Sequence, residues 1–231
     1  MTAEPLPHRA APVAEFRPWR AFDPDDPGSI VGRMRARRWS QLGARFPDLA
    51  RMRVLDLGGT ARAWASAPAR PERLVILNTE PSGADASVAA EVVAGDACDP
   101  PAALRSERFD LVYSNSVIEH VGGHERRKRF ADTARSAAAH HWIQTPYRYF
   151  PLEPHFLFPG FQFLPLAQRR AIARYWGPTR RSVRTMSTRD ATDYVASIEL
   201  LSVTAMRAYF PESTIARERL AGMVKSLIAI A

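Results

Sequence analysis

Short, almost unbroken apolar runs alternate along this chain with longer stretches in which apolar residues recur at helical spacing. Arg53-Val54-Leu55-Asp56-Leu57, Leu74-Val75-Ile76-Leu77, Glu91-Val92-Val93-Ala94, Phe109-Asp110-Leu111-Val112-Tyr113 and His141-Trp142-Ile143-Gln144 read as five strands. Strands this uniformly apolar suit a sheet covered on both faces. From Ser29, a suitable N-cap, to about residue 46, the apolar residues Ile30, Met34, Trp39, Leu42 and Phe46 predict an amphipathic helix with arginines between them. A second helix is predicted from about 124 to 138, with Phe130, Ala131 and Ala134 on its inward side. Strands that alternate with helices imply a parallel sheet flanked by helices. A helix from 202 to 209 is followed by two strands, 213 to 219 and 223 to 230, separated only by Leu220-Ala221-Gly222. So short a connection requires an antiparallel pair.

Two segments break this rhythm. Residues 1 to 28 hold many prolines and the acidic turn Asp23-Pro24-Asp25-Asp26-Pro27-Gly28, which resist regular structure and predict a flexible tail. After Pro146 come three prolines and a dense set of aromatics in residues 147 to 163, then a helical stretch from 164 to 175. A lid or loop insertion over 147 to 190 is expected there.

Composition narrows the function classes. At 231 residues one large α/β domain, 29 to 231, is expected. No apolar run approaches the roughly 20 residues needed to cross a bilayer, and Met1 to Val13 carry no basic-then-apolar signal pattern, so the cytoplasm is the expected compartment. The net charge of +8 would suit a polyanion, but the basic residues are dispersed, so no nucleic-acid partner is expected. Cys98 is the single cysteine, and no Cys/His grouping has zinc-ligand spacing, so no metal is expected.

The chemistry concentrates at strand ends. A dinucleotide site would place Gly-x-Gly-x-x-Gly after the first strand to admit a pyrophosphate. Here the chain reads Asp56-Leu57-Gly58-Gly59-Thr60-Ala61-Arg62-Ala63, with a carboxylate at the strand end and no third glycine. That carboxylate repels phosphate and accepts hydrogen bonds from an ammonium group, so a cationic cofactor is expected.

At these residues the sequence resembles the class I S-adenosylmethionine-dependent methyltransferases, by motif over about residues 50 to 150. The resemblance implies a Rossmann-like, seven-stranded, mostly parallel sheet with helices on both faces, an antiparallel C-terminal strand, and S-adenosyl-L-methionine as cofactor. Asp56, Gly58 and Gly59 match the family's acidic residue and glycine turn, while Thr60 and Arg62 stand where further glycines are usual. The ribose-binding acid of the second strand maps to Glu80, with Asn78 as the nearby alternative. Gly95-Asp96-Ala97 resembles the adenine clamp, in which the Asp96 carboxylate and the Ala97 N–H would hold the ring; a plain turn is the other reading.

Phe109 to Val121 is similar to the stretch that small-molecule members carry beneath the transferring methyl, and it assigns Ser114 and Asn115 to the cofactor. It lacks the Asn/Asp-Pro-Pro-aromatic grip of base methyltransferases. The resemblance therefore implies a small-molecule acceptor, with oxygen expected over nitrogen or carbon. A general base would be a His or carboxylate within reach of the acceptor proton. Candidates are Glu119 and His120 after the fourth strand, for which a structural role bonding the following helix start is the preferred reading, together with Glu153 and His155 in the insertion, for which a lid held by ordinary hydrogen bonds is the other reading. Tyr147, Tyr149, Phe156 and Phe158 are candidate walls of a pocket for an aromatic or hydrophobic acceptor, or else core. Leu164 to Trp176 mixes apolar and cationic residues in a manner compatible with an anionic membrane surface, although the lid reading is preferred. Two alternatives stay open: a degenerate protein that binds the cofactor or a partner without turnover, and an RNA methyltransferase.

Overall fold

The computed structural model describes residues 28–80, 88–176 and 181–231. The expected tail at 1–28 lies outside them up to residue 27. Two units are distinguished, one ending at Arg38 and one running from Trp39 to Ala231. The first helix, α1 (Ile30–Arg45), starts where the N-cap predicts: the Ser29 hydroxyl accepts from the Gly32 N–H at 2.8 Å.

The second unit is built on β1 (Arg53–Leu57), β2 (Arg73–Asn78), β3 (Glu91–Ala94), β4 (Phe109–Asn115), β5 (Ala138–Pro146), β8 (Thr214–Leu220) and β9 (Met223–Ile230). They form one seven-stranded sheet in the order β3-β2-β1-β4-β5-β9-β8. The first five are mutually parallel, and β9 runs antiparallel to both β5 and β8. This is the expected Rossmann-like architecture. The β8–β9 turn has Ala221 and Gly222 at positive φ, a requirement that Gly222 meets without strain.

Alternate residues of the strands feed two cores, as the two-residue period of a strand demands. On one face Leu55, Leu57, Val75, Leu77 and Val112 pack with α3 (Ala102–Ser106), α4 (His124–Ala137) and α8 (Val203–Tyr209). On the other, Val54, Leu74, Ile76, Leu111 and Tyr113 meet Trp39, Leu42 and Phe46 and the short helix α2 (Ala61–Trp64). Trp39, Trp64 and Tyr113 form a triangle of rings with centroids 5.0 to 5.2 Å apart. Such pairs contribute about 0.5–1.5 kcal/mol each beyond simple burial.

The insertion is more regular than a loop. It contains the hairpin β6 (Leu152–Glu153) and β7 (Phe158–Pro159), a 3-10 turn at Phe161–Phe163, and helices α5 (Leu166–Tyr175), α6 (Arg181–Thr185) and α7 (Thr188–Ser197). Phe156, Phe161, Ala173, Val183, Val195, Ile198 and Leu200 give it a small core of its own. Phe156, for which the sequence leaves pocket wall and core both open, lies in this core: it is 1% exposed and stacks on Phe161 at 4.1 Å. An apolar ring enclosed by the insertion's own helices gains more from burial than from facing solvent.

Candidate active site

In sheet order β2-β1-β4, consecutive connections leave β1 and β4 in opposite directions, so a crevice opens between their carboxyl ends. The loops that meet there are tightly interlocked. Gly58, at φ 80°, lies so near the loop after β4 that an added Cβ would stand 2.7 Å from the Val117 methyls. Its N–H donates to the Leu77 carbonyl at 2.7 Å. Ser114, fully buried, donates its hydroxyl to the Leu57 carbonyl at 2.8 Å and ties β4 to β1. Ser116 follows at φ 58°, a conformation that costs a non-glycine residue energy and is held by two hydrogen bonds to Gln144.

Asp56 sits beneath this turn, 1% exposed. Its Oδ2 accepts from the Trp64 indole N–H at 2.8 Å. Its Oδ1 is buried and has no hydrogen-bond partner among the described residues. Burial pushes the carboxyl up to about 7, with the Trp64 hydrogen bond acting in the opposite sense. An ionised carboxylate enclosed with one oxygen unsatisfied is costly, and a cationic group brought against it would recover that cost. Gly59 is needed for the arrangement, since a Cβ there would fall 1.7 Å from Asp56 Oδ2.

The departure from a glycine at position 60 has a local use. Thr60 is the N-cap of α2, its hydroxyl accepting from the Ala63 N–H at 3.4 Å, and α2 in turn delivers Trp64 to Asp56.

Further along the edge, Asn78 and Glu80 divide their tasks. The Asn78 amide donates to the Gly59 carbonyl at 2.9 Å and the Gly58 carbonyl at 3.3 Å, while its Oδ1 accepts from the Glu80 N–H. Asn78 thus braces the glycine turn. Glu80 is left exposed at the rim. Asp96 follows β3. Its partial burial raises the carboxyl, but the Cys98 N–H and the Arg126 guanidinium, at 2.9 and 2.6 Å, outweigh this and hold it below the usual carboxylate range. Ala97 is buried beside it, and Asn115 ends β4, half-buried.

On the β5 side, the turn 117 to 120 carries the chain from Gly58's neighbour Val117 to His120, whose N–H donates to the Val117 carbonyl. Glu119 within it is fully buried: Oε2 accepts from Thr145 at 2.9 Å, and Oε1 has no hydrogen-bond partner among the described residues. Burial pushes this carboxyl up to about 7 as well. Glu153, 1% exposed, accepts from the backbone N–H groups of His155 and Phe156 through Oε2, both at 2.8 Å, and from His155 Nδ1 through Oε1 at 2.6 Å. His155 Nε2 faces His120 Nε2 at 3.0 Å, the two rings at 90°. Residues far apart in sequence thus form one polar group, Glu153-His155-His120, with Glu119 beside it.

The remaining predicted wall residues are less enclosed than Phe156. Tyr149 is 58% exposed, stacks on Phe163 and meets Tyr147 edge-on, and Phe158 is half-buried against Trp176. Sequence reasoning missed Trp64, Thr145 and Arg126. Only Trp64 left a signal, an aromatic one helical turn past an N-cap threonine.

No protein-family model matches the sequence, and no curated protein does. Among solved structures the chain is similar to the N-methyltransferase NodS from Bradyrhizobium japonicum WM9 in complex with S-adenosyl-L-homocysteine, with TM-score 0.51 and 14% identity over 91% of this chain and 93% of that one. It is also similar to magnesium protoporphyrin IX methyltransferase (ChlM) from Synechocystis PCC 6803 with bound S-adenosyl-L-homocysteine, with TM-score 0.50 and 10% identity over 92% of each chain. The chain has the fold of class I S-adenosylmethionine-dependent methyltransferases.

Proposed function

We propose that the protein is an enzyme that binds S-adenosyl-L-methionine at the β1–β4 crevice and transfers its methyl group to a small acceptor, at oxygen. The observation that carries this reading is the buried Asp56 carboxylate with an unpartnered oxygen beneath Gly58 and Gly59, which fits a cationic amino-acid end and opposes a pyrophosphate. The two solved structures above, each with S-adenosyl-L-homocysteine bound on this fold, support the choice of cofactor.

When bound, S-adenosyl-L-methionine supplies a sulfonium methyl that is already electrophilic. The protein's part is to position, to dry the site and to handle a proton. Asp56 would take the amino group, Glu80 the ribose hydroxyls, and Asp96 with the Ala97 N–H the adenine. Gly58, Gly59, Thr60, Asn78 and Ser114 keep the turn in place, and Asn115 lies at its margin. On the acceptor side, the Nδ1–H of His155 donates to Glu153, which fixes the tautomer and leaves Nε2 as a proton acceptor. Residues 147 to 190 act as the acceptor-binding lid, with Tyr147, Tyr149 and Phe158 offering aromatic surface. No helix among the described residues is long and apolar enough to cross a membrane.

Isothermal titration of the full chain with S-adenosyl-L-methionine and S-adenosyl-L-homocysteine tests the cofactor. Binding of both is expected, followed by transfer of labelled methyl to a small molecule in extracts. Uptake of a nicotinamide dinucleotide with neither of these ligands bound would overturn the reading, and binding without transfer to any small molecule would leave a protein without turnover.

A further inference from the structure

The Glu119-His120-His155 group has the composition and spacing of a metal centre. We propose that these three side chains bind one divalent transition-metal ion of the zinc type. Glu119 Oε1, His120 Nε2 and His155 Nε2 all lie within 4.8 Å of one another. His155 Nε2 is 3.0 Å from His120 Nε2, which is 4.0 Å from Glu119 Oε1. Ligands at about 2.1 Å from a tetrahedral ion stand about 3.4 Å apart, so the measured distances bracket what coordination needs.

Three independent features point to an ion rather than to a chance meeting of polar groups. Glu119 is fully buried, yet Oε1 has no hydrogen-bond partner among the described residues. An isolated buried carboxylate oxygen is unfavourable unless a cation or donor meets it. Next, two imidazoles point Nε2 to Nε2, an arrangement in which at most one proton can lie between them and which an ion in common stabilises better. Finally, His155 Nδ1 donates to Glu153 at 2.6 Å, and Glu153 is itself anchored by two backbone N–H groups. A carboxylate behind a ligating histidine orients the ring and strengthens it as a donor.

Two imidazoles and one carboxylate suit zinc and its first-row neighbours better than magnesium or calcium, which favour all-oxygen shells. Three protein ligands leave a fourth position for water or a substrate oxygen, the pattern of reactive rather than structural zinc. His120 and His155 are partly open to solvent while Glu119 is sealed, so an ion would be reached from the histidine side. An ion on His155 Nε2 takes the lone pair that would otherwise accept a proton, so the metal-bound form excludes that role of His155; metal binding itself needs only these side chains and does not depend on whether the protein transfers methyl groups.

The test uses tag-free, full-length protein freed of metal by dialysis against a chelator and titrated with Co²⁺. About one equivalent should bind, with visible ligand-field bands that Zn²⁺ then bleaches. His120→Ala, at an exposed position, should weaken Co²⁺ binding at least tenfold and alter the bands, as should His155→Ala, by roughly the loss expected when one ligand of three is removed. Glu153→Gln keeps all three ligands and should weaken binding by about 10–100-fold. His124→Ala, outside the group, should bind as the unaltered protein does. Far-UV circular dichroism identifies any variant that fails to fold. Absence of the bands in the unaltered protein, or unchanged binding in a folded His120→Ala variant, would overturn the proposal. Because no cofactor is added, loss of the metal site and loss of S-adenosyl-L-methionine binding read out separately.

Discussion

Asp56 and Glu153 are equally hidden, each 1% exposed, and they are used in opposite ways. Glu153 is saturated: two backbone N–H groups and an imidazole converge on it, so it holds the start of the insertion together and aims His155. Asp56 receives one indole N–H and keeps an oxygen unsatisfied under a glycine turn. A saturated buried carboxylate is a structural anchor, whereas an unsatisfied one stores free energy that a ligand can release.

The sharpest way to break this contrast is to truncate the anchor. Glu153→Ala strands the buried Phe156 N–H, at a cost of about 1–3 kcal/mol, together with the partly buried His155 N–H and the His155 ring, so the largest stability loss in this set is expected there. Hydrogen exchange should show it as faster amide exchange across 150 to 163 with the sheet unchanged.

Gly59→Ala attacks the other side. Its Cβ would collide with Asp56 Oδ2, so overpacking of about 1–3 kcal/mol is expected together with at least a hundredfold weaker S-adenosyl-L-methionine binding. Thermal melts and isothermal titration measure the two effects.

Asp56→Asn should separate stability from binding. Because burial raises the folded-state carboxyl to about 7, the folded protein holds a proton that the unfolded chain has released, and stability falls as pH rises toward that value, by about 1.4 kcal/mol per unit. The variant should remove the Asp56 share of this slope in melts of the ligand-free protein, leaving the share of Glu119, whose carboxyl burial also raises to about 7. Cofactor affinity of the unaltered protein should strengthen as pH rises through about 7, where Asp56 ionises, and the variant should bind about tenfold more weakly without that dependence.

The smallest effect is expected from Trp64→Phe. It keeps most of the ring contacts with Trp39 and Tyr113 and removes the indole donor to Asp56, costing about 1–2 kcal/mol at neutral pH. If S-adenosyl-L-methionine stabilises this variant more than the unaltered protein, the free carboxylate is the group it meets.

Much of this was readable from the chain. The runs at 53 to 57, 74 to 77 and 109 to 113 are buried on both faces and so are almost continuously apolar, which no helix of that length would require. The closing hairpin was legible from its short turn, although Leu220 belongs to β8 and the turn itself is Ala221-Gly222. The candidate site was legible where chemistry follows a strand end, as at Asp56-Leu57-Gly58-Gly59. The strand at 138 to 146 was seen only in its central four residues, because its ends carry alanine, threonine and proline. Helix α7, ten residues long, was missed although Ala191, Val195 and Ile198 recur near helical spacing after the N-cap Ser187, because that short pattern lies in a stretch otherwise made mostly of charged and hydroxyl residues.

Local pattern thus determined the elements, their parallel and antiparallel senses, and the presence of an acid before a glycine turn, because each depends on residues within a few positions of one another. Tertiary structure decided which groups are satisfied. That Asn78 braces the turn while Glu80 stays exposed, that Phe156 is core, and that His120 meets His155 across 35 positions all follow from how the strands and the insertion pack. A carboxylate looks the same in a sequence whether three donors surround it or one, and the donors that distinguish Glu153 from Asp56 are placed by the folded backbone.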